Sequence, residues 1–171
     1  MISRRKALTI IGFSTICVTS GKAFALRQYQ EMVMDDCRFE WWVDQSRLRC
    51  TFVAPAAGWL AVGFGPSLNT IGTRFVMVDP QDDHLRSAEM LASPSGPAPF
   101  SSHPQGESFQ ALTGGRDGNT AWMSCAVKLP FFSNQTMLLQ SQQKANLMLA
   151  WSMSTDFDHH SAWRRHIKID L

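Results

Sequence analysis

No segment of this 171-residue chain sustains an apolar period of 3.6 residues, which argues against a helical architecture. Internal repeats are missing, as are a phosphate-cradling glycine loop and a nucleophile elbow, so nucleotide chemistry and serine hydrolysis have no visible seat. Ser152 and Ser154 lie near histidines and aspartates without any such motif around them. Long apolar runs are also lacking. The longest, from Ala7 to about Gly21, is broken by Gly12 and Ser14 and is a poor permanent membrane anchor. Cysteine is scarce, at four residues.

An excess of positive charge disappears on closer reading. Residues 1–25 carry a basic start with Arg4, Arg5 and Lys6, the apolar stretch, and the small-residue site Ala23-Phe24-Ala25. That pattern predicts a cleaved export signal, with the mature domain spanning 26–171. The paired arginines and Lys22 resemble a bacterial twin-arginine signal. Removing residues 1–25 lowers the 16 basic residues to 12 against 14 acidic ones, near −2. Such a chain lacks the basic field that nucleic-acid binding requires. The expected location is the periplasm or outside the cell, with no membrane span after cleavage. Cys17 leaves with the signal, so Cys37, Cys50 and Cys125 remain, and an oxidising compartment allows one disulfide. Cys37 and Cys50 flank an apparent hairpin and are the expected pair.

The mature chain reads as short strands separated by turns. Cys37 to Val43 and Arg47 to Ala54 alternate around the turn Asp44-Gln45-Ser46. Further strands are predicted at Trp59 to Phe64, Arg74 to Val78, Leu85 to Leu91, Thr120 to Leu129, Ala145 to Ser152 and His166 to Leu171. The Pro, Ser and Gly-rich stretch after Ala92 reads as a long surface connection, and Gly114 to Gly118 as a tight turn. About 146 residues suffice for one core. The predicted class is all-β, an antiparallel sandwich.

Three of the five histidines fall within DFDHHSAWRRH, Asp156 to His166, beside two aspartates and two arginines. GWLAVGFG, the loop ending Ile71-Gly72-Thr73-Arg74-Phe75-Val76-Met77, and then LMLAWS and DFDHHSAW together resemble the DOMON domain family. The resemblance runs from about Phe39 to Leu171, and the closing stretch is similar to that of small secreted bacterial members. It implies an immunoglobulin-like β-sandwich holding a ligand at one end. In the family's cytochromes that ligand is haem b, bound by a methionine from a Met-x-Gly loop and by a late histidine. The late histidine matches His160, with His159 as its neighbour and alternative. The methionine position holds Thr70, so a second ligand must come from elsewhere. Met90 and Met77 are the nearest methionines along the chain, and His84 is a further donor.

Physical chemistry supplies roles for the rest. A ligating imidazole needs an acceptor for its other nitrogen, which Asp156 or Asp158 can provide. Arg164 and Arg165 can pair with haem propionates, because guanidinium matches carboxylate geometry. Phe157, Trp163 and the methionines offer apolar walls. The expected role is electron transfer with a membrane b-type cytochrome or a periplasmic redox protein, not catalysis. Three other readings stay open. A haem-free module could bind a sugar or a protein partner, with Trp41, Trp42 and Trp163 as stacking surfaces. Asp156, Asp158, His159, His160 and His166 mix oxygen and nitrogen donors suited to zinc or copper. The stretch can also be purely structural, with the aspartates capping the loop.

Overall fold

The computed structural model describes residues 29–81, 84–99, 109–133, 136–141 and 143–171. The expected export signal with Cys17, the Asp82-Asp83 pair and most of the connection beyond Pro99 lie outside the described residues.

Thirteen strands and no helix occur among the described residues: β1 (Gln30–Met34), β2 (Cys37–Asp44), β3 (Arg47–Ala54), β4 (Leu60–Gly65), β5 (Arg74–Pro80), β6 (Leu85–Ser93), β7 (Gly96–Pro99), β8 (Gln110–Asp117), β9 (Thr120–Lys128), β10 (Phe131–Ser133), β11 (Thr136–Leu139), β12 (Lys144–Trp151) and β13 (Trp163–Asp170). One sheet has the order β1-β2-β3-β9-β8 and the other β13-β12-β4-β5-β6-β7, with β10 and β11 forming a separate ribbon. Every pairing is antiparallel. The sequence-derived class, an all-β sandwich, is the fold observed.

Alternation builds the core. Phe39 and Trp41 from β2, with Leu48, Phe52 and Ala54 from β3, face Leu60, Val62 and Phe64 from β4 and Leu147 and Leu149 from β12. On each strand these residues are two or four positions apart, so they point to the same face. The hairpin turn between β2 and β3 falls at Gln45, whose φ of 57° gives the left-handed turn conformation.

Three expectations need correction. The Cys37–Cys50 disulfide is not formed, and all three described cysteines are free and buried. Register is the reason: Cys50 lies opposite Trp41 on β2, four residues from Cys37, and on its other side opposite Cys125. The Cys50 and Cys125 sulfurs are 3.2 Å apart, and the Cys125 thiol is pushed up by its hydrogen bond with Cys50 and by burial. Second, Gly114 to Asp117 belong to β8, and the turn falls later, at Gly118-Asn119. Third, the proline-rich connection contains an edge strand, β7, where missing N–H groups cost no interior ladder bond.

Candidate functional site

The second sheet is unusual in burying both faces at its centre. Every residue of β4 and of β5 is buried. One face packs into the core. The other carries a second apolar cluster of Trp59, Ala61, Phe75, Met77, Met90, Ala92, Met148 and Ala150. The register arranges this outer face in rows. His166, Met148, Gly63, Phe75 and Met90 lie side by side across five strands. In the next row stand Arg164, Ala150, Ala61, Met77 and Ala88. Alanine and glycine keep the middle of this floor low, and methionine and phenylalanine rise around it. Gly63 is required there, since a Cβ would sit 2.4 Å from the Cβ of Phe75. The result is a pocket of about 350 Å³. That size, with an apolar floor and a polar rim, suits a small organic ligand.

The segment between β12 and β13 forms the opposite wall. Its backbone is organised by its own side chains: Ser152 Oγ accepts from the Ser154 N–H, Ser154 Oγ from Asp156 and Asp156 Oδ1 from Asp158, at 3.0–3.2 Å. These successive turns are what Ser and Asp favour in loops. Ser152 Oγ also donates to the His160 carbonyl at 3.3 Å. The wall is pinned to the strand entering β4, with Gly58 N–H donating to Ser152 O and Trp59 N–H to Ser154 O. The Trp59 indole donates to Asp156 O at 2.9 Å. His159 and His160 are thus exposed at the rim on a segment whose backbone is held at several points.

A buried carboxylate ties this wall to both sheets. Asp79 on β5 is fully buried and accepts from Arg86 at 3.3 Å, while Arg116 of the other sheet lies 3.7 Å away. Arg116 in turn donates to the carbonyls of Ala56 and Gly58, and the Arg86 guanidinium lies 4.4 Å over the Phe157 ring. A single anion therefore orients two cations that brace the approach to β4 and the histidine wall. In a low-dielectric setting such pairing is what makes the buried charge tolerable.

Thr70, on the loop between β4 and β5, also lines the pocket. Its hydroxyl lies 3.2 Å from His166 Nε2 and accepts from Arg164 at 3.4 Å. His166 is half-buried, and burial, then the Arg164 charge, hold its pKa below the ordinary value of 6.5. The unfolded chain therefore takes up this proton first as pH falls. The contribution is constant above the unfolded pKa and is lost as pH drops below about 6.5 toward the folded one. For the haem-free protein, the urea midpoint should fall on acidification from about pH 7.5 to about pH 5.5. In His166→Gln that fall should be smaller. An equal fall in both proteins would remove His166 as its source.

Among the residues named from the sequence, His159, His160, Met77, Met90, Asp158, Phe157, Arg164 and Thr70 all line this pocket. Arg165 does not. It pairs with Asp35 at 3.4 Å and lies over Trp163, away from the pocket. His84 is exposed and also lies outside it. The three tryptophans do not gather: Trp41 is in the core, Trp163 stacks on Phe52, and Trp42 stacks on Tyr29 at the first sheet. Among the described residues no group of three His, Cys, Asp or Glu side chains converges, so a metal site at Asp156–His160 has no ligand set. Met148, Ala150, Ala61 and Trp59 were not singled out from sequence. Their signal was parity, because Trp59, Ala61 and Gly63 occupy one face of a strand whose other face is equally apolar. A strand apolar on both faces must be covered on both.

The fold thus defines a β-sandwich with a ligand-sized pocket on the outer face of one sheet. Solved structures of similar fold include the cytochrome b domain of pyranose dehydrogenase from Coprinopsis cinerea, with a TM-score of 0.60 and 13% identity over 79% of this chain and 76% of that one. The cytochrome domain of Myriococcum thermophilum cellobiose dehydrogenase is similar, with a TM-score of 0.56 and 10% identity over 84% and 81% of the two chains. No protein-family model and no curated sequence matches the chain.

Proposed function

We propose that the outer-face pocket holds haem b and that the domain is an electron-transfer module without substrate chemistry of its own. One observation carries this reading: an exposed histidine on a pinned wall and thioether side chains on an apolar floor line the same pocket, in a fold shared with two cytochrome domains. The residues fit the group. The floor is lowered by Ala61, Gly63 and Ala150, and Trp59, Phe75 and Phe157 offer apolar surface for a planar macrocycle. His160 is the proposed axial ligand, with His159 beside it as the alternative. Asp158 is the acidic neighbour available to orient the imidazole. Arg164 stands at the rim, where a propionate would emerge. Bound haem would supply a one-electron couple. The protein's own work is to hold the imidazole, exclude water from the floor and leave the rim open to a partner. That partner is proposed to be a membrane b-type cytochrome or a periplasmic redox protein, reached after export through the signal at residues 1–25.

Thr70, where a methionine is implied by the DOMON resemblance, favours a second reading, a haem-free module that takes a sugar or a protein partner. Titration of the mature protein with haem separates them. Trp59 lines the pocket, so its fluorescence should be quenched to an end point at one equivalent of haem, and Ala61→Phe should abolish the end point by filling the floor. Equal, non-saturating quenching in both proteins would favour the haem-free module.

A further inference from the structure

We infer that Met148, on the floor of the pocket, supplies the thioether opposite His160, replacing the methionine that position 70 lacks; this rests on the haem reading. Three independent features of the register point to Met148. First, the His160 backbone is held by Ser152, which directly follows β12, and Met148 lies on that same strand four residues away, about 13 Å along it. Ala150 lies between them and presents only a methyl group to the same outer face. The histidine thus approaches from the C-terminal end of β12 and the methionine from its middle, across the lowest part of the floor. Second, Thr70 lines the pocket beside β13, joined through Arg164 to Ser161 of the histidine wall. It bonds His166, and His166 is the direct cross-strand partner of Met148. The loop position that lacks a methionine and Met148 therefore border the same residue, His166.

Third, the other methionines are displaced sideways. Met90 shares the row of Met148 but is three strands over, about 14 Å away. Met77 is in the row of Ala150 and Ala61, level with the gap instead of at its far side. Met148 is itself buried at 4% and packed in the outer-face cluster, so its sulfur is shielded from bulk water. Shielding and thioether ligation both favour the ferrous state.

The test uses the haem-loaded mature protein and four variants: Met148→Leu, Met148→His, Met90→Leu and Met77→Leu. The readouts are the spin state, the far-red charge-transfer band of a thioether bound to ferric haem, and the reduction potential. Wild type should be low-spin with the sulfur band. Met148→Leu conserves volume and should still take up one equivalent of haem, but turn high-spin and lose the band. Met148→His should stay low-spin, lose the band and shift to a lower potential. The Met90 and Met77 variants should keep both low spin and the band. Persistence of the band in either Met148 variant, or its loss in Met90→Leu or Met77→Leu, would overturn the assignment. A wild type that binds one haem without a sulfur band would overturn it while leaving the haem reading intact. No stoichiometric haem in wild type would remove both.

Discussion

Replacing His160 by alanine should abolish the low-spin spectrum of the haem-loaded protein, and replacing His159 should leave it in place. The two residues are adjacent and both exposed at the rim, so neither variant should disturb the core. Surface substitutions of this kind change stability by no more than about 0.5 kcal/mol. The difference between them comes from what holds each one. The His160 carbonyl receives the Ser152 hydroxyl, which ties it to the end of β12, whereas the His159 N–H closes a turn onto Asp156 O within the loop itself. His160 is thus tied directly to the end of β12, and His159 to a turn whose Asp156 carbonyl is held by the Trp59 indole. Imidazole added to His160→Ala should restore the low-spin form, because the pocket in that variant is intact apart from the missing ring. Loss of the low-spin spectrum in His159→Ala alone would exchange the two roles. Spectra unchanged in both single variants would remove the histidine wall from ligation altogether.

The second large effect is expected far from any ligand atom. Gly58→Ala should destabilise the protein by about 2–3 kcal/mol and weaken haem retention at the same time. A Cβ at position 58 would fall 1.9 Å from the Ser154 carbonyl oxygen and 2.2 Å from its carbon. Those atoms are backbone, so no side-chain rotation relieves the overlap. The segment must move, and it is the one that carries His159 and His160. Moving it also strains the Gly58 N–H bond to Ser152 O and the Arg116 bond to Gly58 O. Urea unfolding and haem dissociation measured on the same variant give the two numbers. Gly118→Ala is the control, since a Cβ there meets nothing within 4 Å and only its φ of 55° is affected. A variant at 58 with ordinary stability and ordinary haem retention would show that the histidine wall is not fixed by its contact with the entrance to β4.

The sandwich was legible because half-buried strands write their geometry directly into alternation, as in Phe39, Trp41, Leu48, Cys50 and Phe52. Glycine was where that reading broke. Gly114-Gly115 suggests a turn, yet these residues lie within β8 and serve a close approach instead. A Cβ at Gly115 would come 2.8 Å from the Trp122 indole nitrogen across the ladder. A lone sequence shows that glycine is needed but not whether for φ or for space. Cysteine pairing failed for a similar reason, because parity puts Cys37 and Cys50 on one face without saying that they lie four residues out of register. The site was half visible. His160 came from the DOMON resemblance and Met77 and Met90 from proximity along the chain, and all three line one pocket. Met148 stayed hidden inside LMLAWS, where its neighbours Leu147 and Leu149 belong to the core and it belongs to the other face. Only the strand order, which places β12 beside β4, shows that this other face is a floor.

The most direct measurement is a pair of visible spectra, oxidised and reduced, on the mature protein carrying one equivalent of haem. A six-coordinate low-spin haem that is reduced and reoxidised reversibly, without loss from the protein, is the expected result. Haem that is lost on gel filtration, or that gives the same spectrum in Ala61→Phe as in wild type, would contradict a haem site on the outer face of the second sheet.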